Sequence, residues 1–246
     1  EVIFLGTGTS SAVPNASCLL QRPITCETCM DARQAGSAPR YSYNTRRNSS
    51  CLVRFVGASG RRHQLLIDCG KTFYESSLQW FSEYALDAIT GVLLTHGHAD
   101  AIFGLDGLRE WSKPIHRSPA APARMPVYCD AATMAAVRQS FPYLCDVRQV
   151  TGGGDVSFPA WHVFDPAAGP LVIDGLAITP FTVPHGQWGD GRVFDCLGFR
   201  IDDFVYISDC NACSDDVVAL CYGAKLLVLD ALKATPHPSH LSYAEA

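Results

Sequence analysis

The segment from residue 95 to residue 100, Thr-His-Gly-His-Ala-Asp, places the imidazoles of His96 and His98 two residues apart, with the carboxylate of Asp100 two residues further on. It follows the apolar residues 91–94, which we predict to be a buried strand. A turn at the end of a strand can point all three side chains at one ion, and imidazole and carboxylate suit zinc, manganese or iron. The alternative is a polar turn whose histidines only cap a helix.

Three more polar residues stand at the same kind of position, close behind or at the end of an apolar run: Asp68, His185 and Asp209. A single histidine or aspartate at such a position commonly caps a helix or forms a turn. Their joint occurrence favours one shared site, because α/β proteins assemble their sites from residues at strand ends.

The elements that must position these residues are predicted from short apolar runs and from helical periodicity. We expect strands at residues 2–5, 51–56, 64–67, 91–94, 127–129, 171–173, 176–183, 193–201, 204–207 and 226–229. We expect helices at residues 72–84, 101–111, 131–140 and 214–222, and a surface loop at 112–126. The strands come in groups with helices between the groups, which favours two face-to-face sheets with helices outside. The pattern predicts a single α/β domain over residues 1–246.

The amino-acid composition excludes several classes of protein. With 246 residues, 48% hydrophobic and 17% charged, the chain is neither disordered nor a coiled coil. A net charge of −5 disfavours a broadly basic nucleic-acid binder without excluding a local basic patch. Because no apolar run approaches the roughly 20 residues that cross a bilayer, we expect no membrane partner. The eleven cysteines mostly lie in apolar segments, which predicts reduced thiols and a cytoplasmic location.

In their order along the chain, these motifs resemble those of the metallo-β-lactamase superfamily. The resemblance is closest to its PhnP-type phosphodiesterase branch and covers nearly the whole chain. It is carried further by residues 6–10 (Gly-Thr-Gly-Thr-Ser), 46–50 (Arg-Arg-Asn-Ser-Ser), 104–106 (Gly-Leu-Asp) with Arg109, and 237–242 (His-Pro-Ser-His-Leu-Ser). The resemblance implies the four-layer αββα sandwich of that superfamily, with a metal site along the sandwich edge.

The resemblance also implies ligands for one or two divalent ions, Zn²⁺ or Mn²⁺. His96, His98 and His185 would hold the first ion. Asp100 would help to hold a second ion and serve in catalysis, and Asp209 would bridge both.

Two other residues receive supporting roles from the resemblance. Asp68 would orient a ligand histidine through the nitrogen that does not face the metal. His240 matches the position assigned to acid–base or phosphate-contacting work, and an imidazole suits protonation of a leaving group near pH 7. The alternative for His240 is a solvated histidine that caps a helix beginning at Ser242.

The chain departs from the family pattern at two places. Where the superfamily has a further histidine ligand, this chain has Ala101, whose methyl group cannot coordinate a metal. The branch also continues to a Thr-His-x-x-His segment whose first histidine completes the second metal site. The sequence stops at Ala246, so we expect the native chain to extend further and to supply this segment.

Cys26 and Cys29, with Cys18 as a third candidate, resemble the structural zinc loop of the branch. The alternative is a pair of free loop thiols. Arg46 and Arg109 are candidates for contacts with a phosphate group, although exposed arginines are also ordinary surface residues.

We therefore expect a metal-dependent hydrolase of small, including cyclic, phosphodiesters or nucleotides, which uses a hydroxide activated by the metal. An RNA-processing endonuclease or a thioester or lactone hydrolase of the same superfamily remains an alternative, as does a degenerate, non-catalytic metal-binding protein. The acidic balance disfavours nucleic acid as the substrate. A homodimer is compatible with the sequence.

Overall fold

The computed structural model describes residues 1–35, 43–112, 124–153, 156 and 159–246. Over these residues the strands are β1 (Val2–Gly6), β2 (Ser50–Val56), β3 (Arg62–Ile67), β4 (Gly91–Leu93), β5 (Pro126–Cys129), β6 (Ala160–Val163), β7 (Leu171–Ile173), β8 (Leu176–Gln187), β9 (Val193–Ile201), β10 (Phe204–Tyr206) and β11 (Leu226–Val228). The helices are α1 (Ala16–Leu20), α2 (Glu27–Ala35), α3 (Phe73–Glu83), α4 (Ala99–Ile102), α5 (Arg109–Ser112), α6 (Ala131–Ser140), α7 (Pro142–Cys145) and α8 (Asp215–Cys221). None of these helices is both long enough and apolar enough to cross a bilayer.

The strands form two sheets. The first has the order β1-β2-β3-β4-β5-β6, antiparallel from β1 to β3 and parallel from β3 to β6. The second has the order β11-β10-β9-β8-β7 and is antiparallel except for the parallel pair β10–β11. In the parallel part, Val92 of β4 pairs with Leu66 of β3, and both are fully buried. A parallel strand covered on both faces must be apolar throughout, which explains the uninterrupted apolar run that ends at the histidines.

The cores show how the layers stack. One buried cluster joins side chains of the first sheet, such as Leu65 and Leu93, to side chains of the second, such as Phe199. The opposite face of the first sheet packs against the first group of helices, where Phe81 and Val137 are buried. The second sheet packs against α8 in a third cluster. The order helix, sheet, sheet, helix confirms the predicted αββα sandwich.

Two predicted elements are wrong in their bounds. The helix expected at 101–111 is divided into α4, a 3₁₀ turn at Leu105–Leu108, and α5. The division occurs at Gly104, whose N–H donates to the carbonyl of Cys69 at 2.7 Å; a Cβ there would lie 2.3 Å from the carbonyl oxygen of Gly70. The strand expected to end at residue 183 continues to Gln187, with an irregularity in its pairing after Pro184. His185 therefore lies within a strand and not beyond it.

Several elements were not predicted, namely α1, α2, α7 and β6, and residues 113–123 of the expected loop lie outside the described residues. Ser242 begins a single turn and not a regular helix. Its N–H and hydroxyl both donate to the carboxylate of Glu245, at 2.8 and 2.6 Å. The carboxylate three residues on thus satisfies the first backbone donor of the turn, as the glutamate of a capping box does, but the Ser242 hydroxyl donates where a capping box requires it to accept.

Candidate metal centre

Three imidazoles converge at one edge of the sandwich. His96 and His98 lie in the loop between β4 and α4, and His185 lies at the irregular end of β8. Each offers a ring nitrogen, and the three nitrogens lie within 4.8 Å of one another. The ring centroids are 4.7 to 5.2 Å apart. The structure thus brings together the three histidines predicted to share an ion.

Hydrogen bonds orient two of the three rings. The Nδ1 of His185 lies 2.7 Å from the carbonyl of Ser239, so this nitrogen carries the proton and donates. The Nδ1 of His96 lies 2.9 Å from the hydroxyl of Thr95, which in turn lies 2.9 and 3.0 Å from the carboxylate oxygens of Asp68. When that hydroxyl donates to Asp68, it accepts from Nδ1 of His96. Both rings then present Nε2 with a free lone pair.

The Nε2 atom of His96 provides the test of whether a metal fits. It is buried, and it has no hydrogen-bond partner among the residues that the structure describes. A buried polar atom without a partner costs free energy, so such an atom requires an explanation. A divalent ion at the convergence of His96, His98 and His185 supplies one, because neutral imidazole is a preferred ligand of zinc and of related metals.

Burial also keeps these imidazoles neutral. It lowers the pKa of His96 well below its ordinary value, and the neighbouring imidazoles of His98 and His185 lower it further. Burial lowers the pKa of His98 as well. Since only the neutral ring can bind a metal, the site is prepared for a cation without having to release a proton first.

Two carboxylates face the histidines. Asp209, behind β10, lies with His185 and His240 in a second group of atoms within 4.8 Å of one another. Burial raises the pKa of Asp209 to about 6, and the nearby carboxylate of Asp100 acts in the same direction. Asp100 belongs to no such group of three within the described part of the chain, and its carboxylate accepts a hydrogen bond from the hydroxyl of Ser10.

Asp68 is not placed as a ligand. It is almost fully buried, and it accepts from both the N–H and the hydroxyl of Thr95, at 2.9 Å for the N–H. Burial raises its pKa, and the hydrogen bonds from Thr95 oppose that rise. Asp68 therefore acts on His96 through Thr95, one step further away than the direct contact predicted from the sequence.

His240 stands beside the three-histidine cluster. Its Nδ1 lies 2.8 Å from a carboxylate oxygen of Asp230 and 3.6 Å from one of Asp209, and its ring centroid is 4.8 Å from that of His185. Burial alone would lower its pKa, but the hydrogen bond to Asp230 and the neighbouring carboxylates raise it overall. With Nδ1 held by Asp230, its Nε2 is the nitrogen available for chemistry.

A cavity of about 810 Å³ adjoins this cluster. Asp100, Asp209, His240 and Arg46 are among its lining residues, together with the loop at residues 6–11. The loop is held by the buried side chain of Asn48, which donates to the carbonyls of Thr9 and Ser10 at 2.9 and 3.3 Å. Arg109 does not line this cavity and lies 3.7 Å from Glu110, half exposed.

The three candidate zinc-binding thiols also converge. The sulfurs of Cys18, Cys26 and Cys29 lie within 4.8 Å of one another, with Cys18 in α1 and the other two at the start of α2. The backbone N–H of Cys29 lowers the pKa of Cys26, as expected for a thiol at the beginning of a helix. Cys18 thus joins the pair, which the sequence suggested only weakly.

Sequence reasoning missed several residues of the centre. Thr95 and Ser10 stand in motifs that the sequence analysis quoted, but the contacts of their hydroxyls with Asp68 and Asp100 were not predicted. Phe194 stacks on His98 with ring centroids 4.5 Å apart and so lies at one side of the three-histidine cluster. Asp230 had a signal, because it follows the apolar residues 226–229 just as Asp68 follows its own strand.

The amino-acid sequence is similar to a known protein family and to several known proteins. A family model described as a beta-lactamase superfamily domain matches residues 63–246. The octanoyltransferase of Porphyromonas gingivalis is 27% identical over 247 residues, which cover 99% of this chain and 42% of that protein. The chain spans less than half the length of the curated relatives it matches.

Solved structures show the same fold. A crystal structure described as a new diphosphatase from the PhnP family has a TM-score of 0.75 and 26% identity, covering 99% of this chain and 79% of that one. Zn²⁺-bound PqqB from Methylobacterium extorquens has a TM-score of 0.67 and 21% identity, covering 95% of this chain and 73% of that one.

Proposed function

The chain belongs to the metallo-β-lactamase superfamily as a PhnP-like member, and from that premise we propose that it is a metal-dependent hydrolase of phosphodiesters. The observation that carries the proposal is the buried, unpartnered Nε2 of His96 where it converges with His98 and His185 in the described part of the chain. Three neutral imidazoles beside the carboxylate of Asp209 form a donor set for Zn²⁺ or Mn²⁺.

A divalent ion bound there supplies a Lewis acid and lowers the pKa of water, so that a nucleophile exists at neutral pH. The protein contributes the remaining steps. Asp68 and Thr95 hold the ring of His96, and Ser239 holds the ring of His185, so that their free nitrogens point to one place. Phe194 stacks on one face of the His98 ring.

His240 is the residue that we assign to proton transfer. Its Nδ1–H donates to Asp230, and this contact fixes which nitrogen faces the cavity. In the protonated ring, Nε2–H donates a proton to the oxygen of the departing alcohol or phosphate as the phosphorus–oxygen bond breaks. Asp230 raises the pKa of His240, which keeps more of the ring in the donating form near neutral pH.

The cavity supports a small phosphate ester as the substrate. Its volume of about 810 Å³ matches a ligand of nucleotide size. Arg46 lines it and supplies a permanent positive charge, whereas Arg109 lies outside it, so we assign phosphate contact to Arg46. The similarity to a PhnP-family diphosphatase agrees with a phosphate ester. The net charge of −5 favours a small substrate over RNA.

The substrate class is tested with three chromogenic esters on protein loaded with Mn²⁺ or Zn²⁺. We expect hydrolysis of bis(p-nitrophenyl) phosphate that stops on chelation and returns when the metal is restored. We expect much slower turnover of p-nitrophenyl phosphate, a monoester, and of S-phenyl thioacetate, a thioester. Thioester hydrolysis without diester hydrolysis would contradict the proposal and identify the protein as a thioester hydrolase.

We also propose a structural zinc at Cys18, Cys26 and Cys29, because thiolates are preferred zinc ligands. Replacing Cys26 with serine is expected to remove one zinc per chain and to lower the melting temperature, since metal binding contributes to folding free energy. Zinc content by mass spectrometry and thermal unfolding measure both effects. Cys145→Ser, outside the cluster, serves as the control and should keep its zinc. An unchanged zinc content in Cys26→Ser would show that the thiols are free.

A further inference from the structure

We propose that residues 1–246 complete a site for a single divalent ion at the histidine centre, and not for the pair that the motif resemblance implies. The inference rests on the proposed function, because it specifies the metal content of the same site. It follows from counting the nitrogens and oxygens that remain free to coordinate.

Among the described residues, three groups of ligand atoms lie at this centre. They are His96, His98 and His185; His185, Asp209 and His240; and His96, Cys196 and Asp209. Every pair of these groups shares a member. Two ions could therefore each have three protein ligands only if some residue served both of them.

His185 cannot serve two ions through its ring. Its Nδ1 lies 2.7 Å from the carbonyl of Ser239 and is occupied as a donor, so only Nε2 is available. The group with His98 and the group with His240 therefore compete for one nitrogen. An ion in the first group leaves Asp209 and His240 as two ligands, which is fewer than protein metal sites ordinarily supply.

His96 is limited in the same way. Its Nδ1 faces the hydroxyl of Thr95 at 2.9 Å and the sulfur of Cys196 at 3.6 Å, while its Nε2 is the buried atom without a partner. Thr95 is itself held by Asp68. An ion in the group with Cys196 would have to displace this chain of contacts, whereas an ion at Nε2 displaces nothing.

The position expected for a second ion has few atoms that could act as ligands. Ala101 is almost fully buried there, and its carbonyl accepts from the N–H of Cys69 at 2.7 Å, which fixes the methyl group in place. The carboxylate of Asp100 already accepts from Ser10. Among the described residues, Asp100 joins no group of three close ligand atoms with Asp209 and His240, so no third ligand completes a second zinc-type site.

Manganese titration followed by electron paramagnetic resonance tests the proposal on the chain of residues 1–246. Mn²⁺ is chosen because thiolates bind it poorly, so the cysteine cluster does not add to the count. We expect one tightly bound Mn²⁺ per chain, with the hyperfine pattern of an isolated ion. Two tightly bound ions with an exchange-coupled spectrum would overturn the proposal, and so would the absence of any tightly bound ion.

A pair of substitutions at one position adds a direct comparison. Ala101→His supplies the missing imidazole and is expected to introduce a second ion and a coupled spectrum, whereas Ala101→Leu adds bulk without a ligand and should not. If Ala101→His fails to fold, the count on the unaltered protein still decides.

Hydrolysis of bis(p-nitrophenyl) phosphate is measured on the same samples. Two coupled ions with full activity would contradict the single-ion proposal and leave the proposed function standing. One bound ion without activity would support the single-ion proposal and contradict the proposed function.

Discussion

Replacing His98 with alanine is expected to remove the active-site metal and to lower kcat/KM for phosphodiester hydrolysis by roughly 10³-fold or more, because metal and activated water supply several kcal/mol of transition-state stabilisation. His98 is exposed, and in the described part of the chain its ring stacks on Phe194 and makes edge contacts with the rings of His96 and His185. The fold should therefore tolerate the truncation. Bound metal is measured by mass spectrometry and activity by steady-state kinetics.

His162→Ala is the matched control for this variant. His162 is also an exposed histidine against an aromatic ring, Tyr128, but it lies on β6 and outside the centre. We expect it to keep its metal and its rate. A His98→Ala protein that is folded, loaded with metal and fully active would show that the histidine turn is structural.

Replacing His240 with alanine is expected to lower kcat by roughly 10²- to 10⁴-fold while the metal stays bound. In the proposed site three other imidazoles would hold the ion, and His240 would contribute a proton. Because the donating form is the protonated ring, activity that depends on it is present below the pKa of His240 and is lost as the pH rises through it. The variant should therefore lose this alkaline limb of the pH–rate profile.

His237→Ala is the control that separates proton transfer by His240 from a general effect of removing a histidine from the cavity. His237 lines the same cavity, with its ring centroid 5.1 Å from that of His240, but its Nδ1 accepts from the N–H of Ser239, and Asp230 does not hold it. We expect less than a threefold change in kcat, in keeping with a loss of a surface contact and not of proton transfer. Loss of the metal in His240→Ala would instead identify His240 as a ligand.

Much of the fold could be predicted because the sheets are buried on both faces. The parallel strands are uninterrupted apolar runs, and α6 begins and ends at the predicted residues because Asp130 caps it and its apolar residues repeat at helical spacing. The elements that failed depend on distant segments. Gly104 ends α4 by bonding to Cys69, and only the folded structure brings those residues together.

The residues of the site also divide into those that the sequence predicts and those that only the folded structure brings together. Residues at strand ends could be found because that position itself is the signal, as it was for His96 and Asp209 and would have been for Asp230. Thr95 and Ser10 lie in segments that the sequence singled out, but nothing in the sequence predicts which carboxylate each hydroxyl contacts. Their roles depend on where Asp68 and Asp100 lie after folding.

The proposed phosphodiesterase activity depends on a divalent ion held at the histidine centre. The most direct measurement is hydrolysis of bis(p-nitrophenyl) phosphate by chelated protein during stepwise addition of Mn²⁺. We predict no turnover in the chelated protein and a rate that rises with each addition until it breaks at one equivalent per chain. Equal turnover by chelated and reloaded protein, or no turnover at any metal content, would contradict a metal-dependent phosphodiesterase.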